Sequence, residues 1–527
     1  MGKEIGIDFG TTNTVVSYYN KKNRLRTLKY DGSAIIPSVI YFNSKEDILI
    51  GSKAKKKLEY LKNGAGIGNF KPKIGNSDRV EIVTEEGETL RLRYRDIATN
   101  FLNQVIRGVE EKLIREFGSD EGCLDRAVVT VPAMFNDKER SATKRAVREA
   151  GIQEVKLVAE PTAAAVAYEE DMGEHIPNAT VLVYDFGGGT FDVSIIQESH
   201  GQFKEIARGG RKNLGGNNLT EKIFQKLWHD FNEKYGLELP LEDDEFDEEY
   251  YHYSFDNYRK NKVAFWDGAN HLKEDLSEVE EVEEELSVFG ANGNPELYTI
   301  RLSREELNQL IEPEITETVE STMQTIEEAK NRGVSRVDQV VLAGGSSNIP
   351  LVAEKVSEAL QNHDTVYGDN VSTLISRGAA VLAKQYKNID SLTQPITNVD
   401  LGVVVTDGVQ YQKFNTIIPA GTDLPCQNSC KFRLFRDGQQ KLEINYYERD
   451  SKNYPKASRV GDEGIELVDT LVIDSLPANL KKTEVTIEVT FCAQKDGTWH
   501  VEVAVTDQKG CIISQEVMKY QKKSDLE

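Results

Sequence analysis

The chain has 527 residues, enough for two to four domains with well-buried cores. Hydrophobic residues make up 39% and charged residues 29%, the balance of a soluble globular protein. Acids outnumber bases, 64 − 87 = −23, with no basic arm, which argues against nucleic acid as the main partner; no apolar run reaches the roughly 18 residues of a membrane span.

The five cysteines are Cys123, Cys426, Cys430, Cys492 and Cys511, an odd number that favours free thiols. Their C-x₃-C…C…C spacing is not a standard zinc pattern, the segments read as strands, and the seven histidines are scattered, so no Cys- or His-based metal site is expected. The first strand begins near residue 4, which leaves no room for a signal peptide, and Gly6 stands where a myristoylation signal needs Ser or Thr. The expected compartment is the cytoplasm.

Residues 4–19 run apolar, then Asp8-Phe9-Gly10 with Thr11, Thr12 and Asn13, then apolar again, which predicts strand, turn, strand. Residues 35–42 read as a proline-interrupted turn into a strand, and residues 64–68 as a glycine-rich loop that follows no clear strand and so is not a dinucleotide fingerprint. No G-x-x-x-x-G-K-[ST] motif occurs, which excludes a P-loop. By spacing alone Lys71 is an ordinary surface charge. Residues 96–117 place Ile97, Phe101, Val105, Val109 and Leu113 on one helical face. A buried strand at 126–132 precedes a capping box, Asn136 with Glu139, opening a helix that Gly151 ends. After a strand at 155–159, Glu160-Pro161 starts a helix. This puts the Glu160 carboxylate where open α/β sheets bind ligands, although a carboxylate there also simply favours the helix N-terminus.

The stretch 181–196, VLVYDFGGGTFDVSII, is the most informative. Gly187, Gly188 and Gly189 let backbone N–H groups approach a ligand without a Cβ in the way, and such a concavity suits phosphate. Asp185 at its edge would repel bare phosphate and therefore implies a cation, Mg²⁺. The alternative, taking the stretch alone, is a plain glycine hairpin with a polar tip. The two Asp-Phe-Gly turns, near residues 8 and 185, read as an internal duplication, and two such hairpins face to face could hold a triphosphate and its metal.

Leu214-Gly215-Gly216-Asn217-Asn218 precedes a helix at about 219–235. Residues 236–290 carry the acidic runs 242–249 and 278–285, read as solvated helix faces or loops. A strand at 336–343 opens into Gly344-Gly345-Ser346-Ser347-Asn348, a helix follows at 351–360, and Gly378-Ala379-Ala380 sits on a last helix ending near Tyr386. Polar residues 387–398 read as a linker. Beyond them Leu442, Ile444 and Tyr446, then Val485, Ile487, Val489 and Phe491, then Trp499, Val501, Val503 and Val505 alternate with polar residues, with Asp437-Gly438 and Asp496-Gly497 as hairpin turns, which predicts a β-sandwich.

Six stretches in order, IGIDFGTTNT, VVTVPAMFND, AEPTAAAVAY, VYDFGGGTFDVS, LGG and VVLAGGSSNIP, make the chain resemble the seventy-kilodalton heat-shock (Hsp70, DnaK-like) chaperone family. The resemblance implies an α/β, actin-like, two-lobed ATPase of the duplicated ribonuclease H-like fold at 1–386, a linker at 387–398, a β-sandwich peptide-binding-like domain at 399–520 and a tail at 521–527, with no helical lid. It implies an ATP-dependent chaperone that hydrolyses ATP to control its hold on unfolded polypeptide; the alternative is a nucleotide-dependent scaffold or co-chaperone with little turnover. Implied cofactors are ATP/ADP and Mg²⁺, and implied partners are extended polypeptide, a J-domain co-chaperone and a nucleotide exchange factor.

By position, Gly10, Thr11, Thr12, Asn13, Gly187, Gly188 and Gly189 would bind phosphate, and Asp8, Glu160 and Asp185 would hold Mg²⁺ through water. Lys71, Glu160, Asp185, Thr190 and Asp8 would be catalytic. Gly215, Gly216, Lys273, Ser277, Gly344, Gly345 and Ser346 would contact adenosine, and Val403, Phe432, Leu442, Ile444 and Ile487 would line a peptide groove, or else be ordinary sandwich core. Asn348 replaces an Arg that stacks on adenine in the family, Ser372 replaces an Asp, and Leu392-Thr393-Gln394-Pro395-Ile396 keeps only part of the family's apolar linker, which weakens the expected coupling between domains.

Overall fold

A polar turn between two apolar runs makes a β-hairpin, and the chain uses this device twice to seed two sheets. The computed structural model describes residues 3–61, 64–118, 124–173, 179–199, 201–360, 366–368, 370–406, 412–451 and 454–518; Cys123 and the tail at 521–527 lie outside the described residues. Strands β1 (Lys3–Phe9) and β2 (Asn13–Tyr19) pair antiparallel across the first Asp-Phe-Gly turn. Strand β3 (Leu124–Val131) lies parallel to β1, and helix α1 (Asp137–Glu149) leads to β4 (Glu154–Ala159), parallel to β3. The sheet order is β4-β3-β1-β2, continued by Leu25–Thr27. The capping box forms as expected: Glu139 N–H donates to Asn136 Oδ1 at 3.0 Å and Asn136 N–H to Glu139 Oε2 at 2.8 Å.

Helix α2 (Glu160–Met172) carries the chain into a second sheet with the same plan. Strand β5 (Thr180–Phe186) is antiparallel to β6 (Phe191–Ser199), which pairs β7 (Gln202–Arg211), while β8 (Gln339–Ala343) lies parallel to β5. In both sheets the first hairpin strand is antiparallel to its successor and parallel to a later strand, so the duplication is written in the strand order. Between β7 and β8, helices α3 (Gly216–Tyr235) and α4 (Phe255–Asp275) pack Trp228, Phe231 and Phe265 against Tyr298 of the hairpin Glu281–Phe289/Pro295–Ser303.

That hairpin corrects the reading of the second acidic run. In Glu281–Phe289, Glu281, Glu283 and Glu285 alternate outward while Leu286 and Val288 are buried and Glu284 is half-buried, so most of this charge is the wet face of a strand. Likewise, the end of the glycine-rich loop, Gly66–Gly68, is a short strand paired to Val39–Phe42, and α3 starts at Gly216, earlier than expected, with Gly215 as its N-cap.

The two sheets meet over α2 and α5 (Val371–Lys384). One apolar cluster joins Val128 and Val158 of the first sheet, Val181 and Val183 of the second, and Ala163, Ala164 and Ala379 of the helices. Glycine is required at this crossing. A Cβ on Gly378 would lie 1.7 Å from Ala163 O, and one on Gly6 would lie 2.1 Å from Ala380 N. The small residues thus form a thin, stiff floor beneath the space between the sheets.

The linker is ordered and docked. Ile389–Leu392 makes a helical turn and β9 (Thr393–Gln394) adds to the second sheet as an edge strand parallel to β7, giving β8-β5-β6-β7-β9, with Val366–Tyr367 beyond β8 at the other edge. Ile389 and Ile396 are buried and Leu392 packs against the interlobe core, so the surviving apolar residues of the linker are the ones that dock.

Beyond it, β10 (Asp400–Thr406), β11 (Gln412–Ile418), β12 (Cys426–Phe432), β13 (Leu442–Arg449), β14 (Ile465–Ile473), β15 (Val485–Ala493), β16 (Trp499–Asp507) and β17 (Ile512–Met518) form a two-sheet sandwich. Its sheets run β11-β10-β13-β14 and β12-β15-β16-β17. Asp496-Gly497 is the expected hairpin turn between β15 and β16, with Gly497 at φ +83°. Asp437-Gly438 is not a hairpin: β12 and β13 belong to different sheets, and Gly438 N–H is tied to Leu480 O in the crossing.

The floor makes a direct prediction. Gly378→Ala forces α2 and α5 apart and should cost ~1–3 kcal/mol, as overpacking does, read as a lower urea midpoint. Gly368→Ala, where the new Cβ meets only Leu342 Cδ1 at 3.7 Å, should leave the midpoint unmoved.

Candidate active site

The two Asp-Phe-Gly turns touch. A Cβ on Gly188 would fall 2.0 Å from Thr12 Oγ1, and one on Gly189 would fall 3.4 Å from Thr11 Cγ2. Between them lies a cavity of about 110 Å³ lined by Asp8, Gly10–Asn13, Lys71, Glu160, Asp185, Gly187–Thr190, Gly344, Gly345 and Ser372. Residues from both ends of the ATPase-like region therefore converge on one cleft above the α2–α5 floor.

Lys71 is not a surface charge. It sits on a 3₁₀ turn, Lys71–Lys73, with 1% of its surface exposed, and its Nζ donates to Glu160 Oε1 at 2.9 Å while lying 5.3 Å from the Phe135 ring centroid and 5.7 Å from that of Phe9. A buried ammonium requires such partners. Glu160 opens α2, Asp8 and Asp185 stand near the C-terminal ends of β1 and β5, and Thr130 Oγ1 donates to Asp8 Oδ1 at 3.2 Å.

The chain-order reading missed Asp192. It lies on β6 directly opposite Asp185, is buried, and its Oδ1 has no hydrogen-bond partner. The signal was present: two residues past Thr190, on the return strand of the hairpin, the side chain must sit across from Asp185.

Burial above all, and then the Glu160 charge, pushes both Asp8 and Asp192 up to about 7. Burial followed by Glu160 and Asp192 holds Asp185 well above the carboxylate range. Carboxylates so crowded, with the partnerless Asp192 oxygen among them, form a hard-oxygen donor set suited to a hydrated divalent cation.

The expected adenosine contacts gather behind the second glycine turn. A Cβ on Gly215 would lie 2.5 Å from Gly189 N, and one on Gly216 would lie 2.4 Å from Ser346 Oγ and 3.5 Å from Lys273 Nζ. Ser346 Oγ donates to Gly187 O at 2.9 Å. Lys273 Nζ donates to Gly216 O (3.1 Å), Thr220 Oγ1 (2.7 Å) and Asn270 Oδ1 (3.0 Å), and burial lowers it to about 8. Ser277 is one turn on, its Oγ donating to Lys273 O at 3.3 Å. Gly344 adopts φ +79° and a Cβ there would meet Asp185 Oδ1 at 2.5 Å, whereas Gly345 has open space. Asn348 is exposed and its Nδ2 donates to Gly345 O at 3.0 Å.

The five expected groove residues do not form one exposed surface. Val403, Leu442 and Ile487 are buried between the sandwich sheets, and this corrects their assignment to a groove; Phe432 and Ile444 are half-buried at its margin.

Asp8 and Asp192 keep protons to about pH 7 in the folded chain, whereas the unfolded chain releases them near 3.8. Folding therefore carries no penalty from them below about pH 4 and the full penalty above about pH 7. Without nucleotide or metal, Tm is expected to fall between about pH 4 and about pH 7, and Asp192→Asn to flatten part of that fall. Parallel wild-type and variant profiles would contradict the assignment.

A model of the family described as Hsp70 protein matches residues 4–527. The chain is 29% identical over 508 residues to the "Chaperone protein DnaK" of Thermosipho africanus, and 30% identical over 509 residues to those of Thermotoga neapolitana and Thermotoga maritima. Each alignment spans 94% of this chain and 77% of the relative. The two duplicated sheets are the lobes of that family's actin-like ATPase and the eight strands after the linker its β-sandwich. The chain belongs to the Hsp70 family.

Proposed function

We propose that the interlobe cleft hydrolyses ATP and that the docked linker passes its state to the β-sandwich. As a member of the family the chain is a nucleotide-binding, ATP-dependent chaperone and an ATPase acting in protein folding. In this reading the N–H groups of Gly10–Asn13 and Gly187–Thr190 cradle the phosphates. Asp8, Glu160 and Asp185 would hold a hydrated Mg²⁺, and the free Asp192 Oδ1 would be a further acceptor for its water. Bound Mg²⁺ supplies charge neutralisation on the phosphate oxygens. Lys71 stands beside the terminal phosphate, positioned by Glu160, and offsets charge that builds up during transfer; Thr190 helps orient the attacking water. Gly215, Gly216, Lys273, Ser277 and Gly344–Ser346 form the adenosine side. The observation that carries this reading is the buried Lys71–Glu160 pair amid carboxylates crowded onto two facing glycine turns.

A chain of hydrogen bonds from the cleft to the linker and sandwich supports such transmission. Pro132 lines the cleft, and the neighbouring Ala133 O accepts from Arg208 Nη1 at 2.5 Å and Arg140 Nη2 at 3.2 Å. Arg208 also pairs with Glu205 and donates to linker Ile396 O at 2.8 Å, and Arg140 Nη1 donates to Asp496 O of the sandwich at 3.2 Å. Further contacts bind the domains: Trp499 N–H to Asp137 Oδ1 (2.9 Å), Asn398 Nδ2 to Phe135 O (2.8 Å) and Lys204 to Asp423 (2.7 Å). The sandwich acts on unfolded polypeptide, with Phe432 and Ile444 as the accessible part of the peptide site. A J-domain co-chaperone and an exchange factor would drive the cycle in the cytoplasm. Among the described residues no helix is long and apolar enough to cross a membrane. The docked linker removes one reason for reading the chain as a scaffold with little turnover.

Two measurements test this. Lys71→Ala should slow single-turnover ATP hydrolysis by about 100-fold or more while ADP affinity stays within a few fold; an unchanged rate excludes Lys71 from the chemistry. Added unfolded peptide should raise the wild-type rate, and Leu392→Asp, which places a charge in the linker's apolar seat, should abolish that response while sparing the basal rate. Equal stimulation of both proteins would refute transmission through the linker.

A further inference from the structure

Along β15 and β16 the side chains alternate strictly. Val485, Ile487, Val489 and Phe491 face the sandwich interior with Val501, Val503 and Val505, and the intervening residues face outward. In the ladder Cys492 is directly opposite His500, and Thr490 opposite Glu502. Cys492, His500 and Glu502 therefore share the outer face, one across from the next and the third two residues along.

The donor atoms of these three residues all lie within 4.8 Å of one another, and His500 Nε2 is 3.4 Å from Glu502 Oε1. Zinc–nitrogen and zinc–oxygen bonds near 2.0–2.1 Å at tetrahedral angles put two donors about 3.3–3.4 Å apart, with sulfur slightly further. The His–Glu edge already has that length, and the Cys492 thiol lies within 4.8 Å of both donors. The three are half-buried and carried on paired strands, a stiffer base than a loop. The start of β16 is held further by Trp499, whose N–H donates to Asp137 and whose indole Nε1 donates to Glu448 Oε1 at 3.1 Å.

We propose that Cys492, His500 and Glu502 form a Zn²⁺ site on the outer face of the β-sandwich. One thiolate, one imidazole and one carboxylate make a donor set for zinc rather than for the oxygen-seeking Mg²⁺ or Ca²⁺. Three protein ligands leave a fourth position to water, so the site is exchangeable rather than a closed structural one. Burial and then the Glu502 charge raise the empty Cys492 thiol, and a bound dication reverses that preference by holding the thiolate. The site is separate from the nucleotide cleft, none of whose carboxylates it uses. The other described cysteines are not part of it: Cys426 and Cys430 pack against the sandwich core and Cys511 is exposed past the end of β16. Cysteine spacing could not disclose the trio, because the strand ladder supplies two of its members as neighbours of Cys492.

Cobalt(II) added to the full chain reports on the site through its thiolate-to-metal absorption. One equivalent should bind and be displaced by Zn²⁺. Cys492→Ser should remove the band, and His500→Gln and Glu502→Gln should each weaken binding by about tenfold or more. Independently, Zn²⁺ added to the wild-type protein should protect Cys492 alone from alkylation, as located by peptide mapping, which needs no variant to fold. A cobalt band that survives Cys492→Ser, or zinc that protects no thiol or a different one, overturns the proposal.

Discussion

Negative charge that the protein buries and only partly neutralises is the constraint on which the rest of this structure turns. Asp8, Glu160, Asp185 and Asp192 come together at the ends of strands and at the start of a helix, and Lys71 is the cation set among them. In a medium of low effective dielectric such a cluster either keeps protons or acquires a cation. The raised carboxyls show the first state. Oxygen donors of this number and kind suit the second, which ties nucleotide binding to cation binding. Stability is given up locally so that the cleft has affinity for a charged ligand.

That cluster can exist only because the backbones come unusually close. Gly188 against Thr12, Gly215 against Gly189 and Gly344 against Asp185 leave no space for a Cβ. Beneath them Gly378 and Gly6 bring α5 against α2 and β1. The same absence of side chains serves two ends: N–H groups reach the cavity, and the lobes meet over a thin layer of small residues instead of a thick core. A large aromatic cluster around Trp228 and Phe231 fills the core of the second lobe away from these close approaches.

The hairpins, the capping box at Asn136 and the sandwich alternation were legible in the sequence because each is local: a turn, a cap or a period-two pattern is decided within a few residues. The duplication was legible because a repeated turn implies a repeated sheet. What escaped was non-local. Asp192 became a site residue only through its cross-strand neighbour, and Lys71, which only the family resemblance placed in the site, has its burial explained by Glu160, distant in sequence. The Glu281–Phe289 strand was disguised by its glutamates, since composition reports the wet face and only the alternation reports the buried one. Asp437-Gly438 has the residues of a hairpin turn yet connects two sheets, because φ > 0 specifies a bend and not the partner of the strand that follows.

The linker shows the same limit most sharply. Thr393 and Gln394 join the second sheet through backbone groups, and an edge strand can be extended by almost any side chains. Polarity there carries no information against docking. What selects this segment is the pair of anchors around it, Ile389 and Leu392 before and Ile396 after, together with Arg208, whose guanidinium holds Ala133 O and Ile396 O at once. Arg208 is buried against Glu205, and removing one partner from such a pair costs about 3–5 kcal/mol. Its position is therefore costly to change. A displacement of the Pro132–Ala133 segment by events in the cleft must either carry Arg208, and with it the linker, or break hydrogen bonds that have no water to replace them. In the proposed coupling, Arg208 is thus a buried cation shared between a cleft-lining loop and an edge strand, with Arg140 joining the same Ala133 carbonyl to the sandwich, and the apolar content of the linker only has to be sufficient to keep that strand seated.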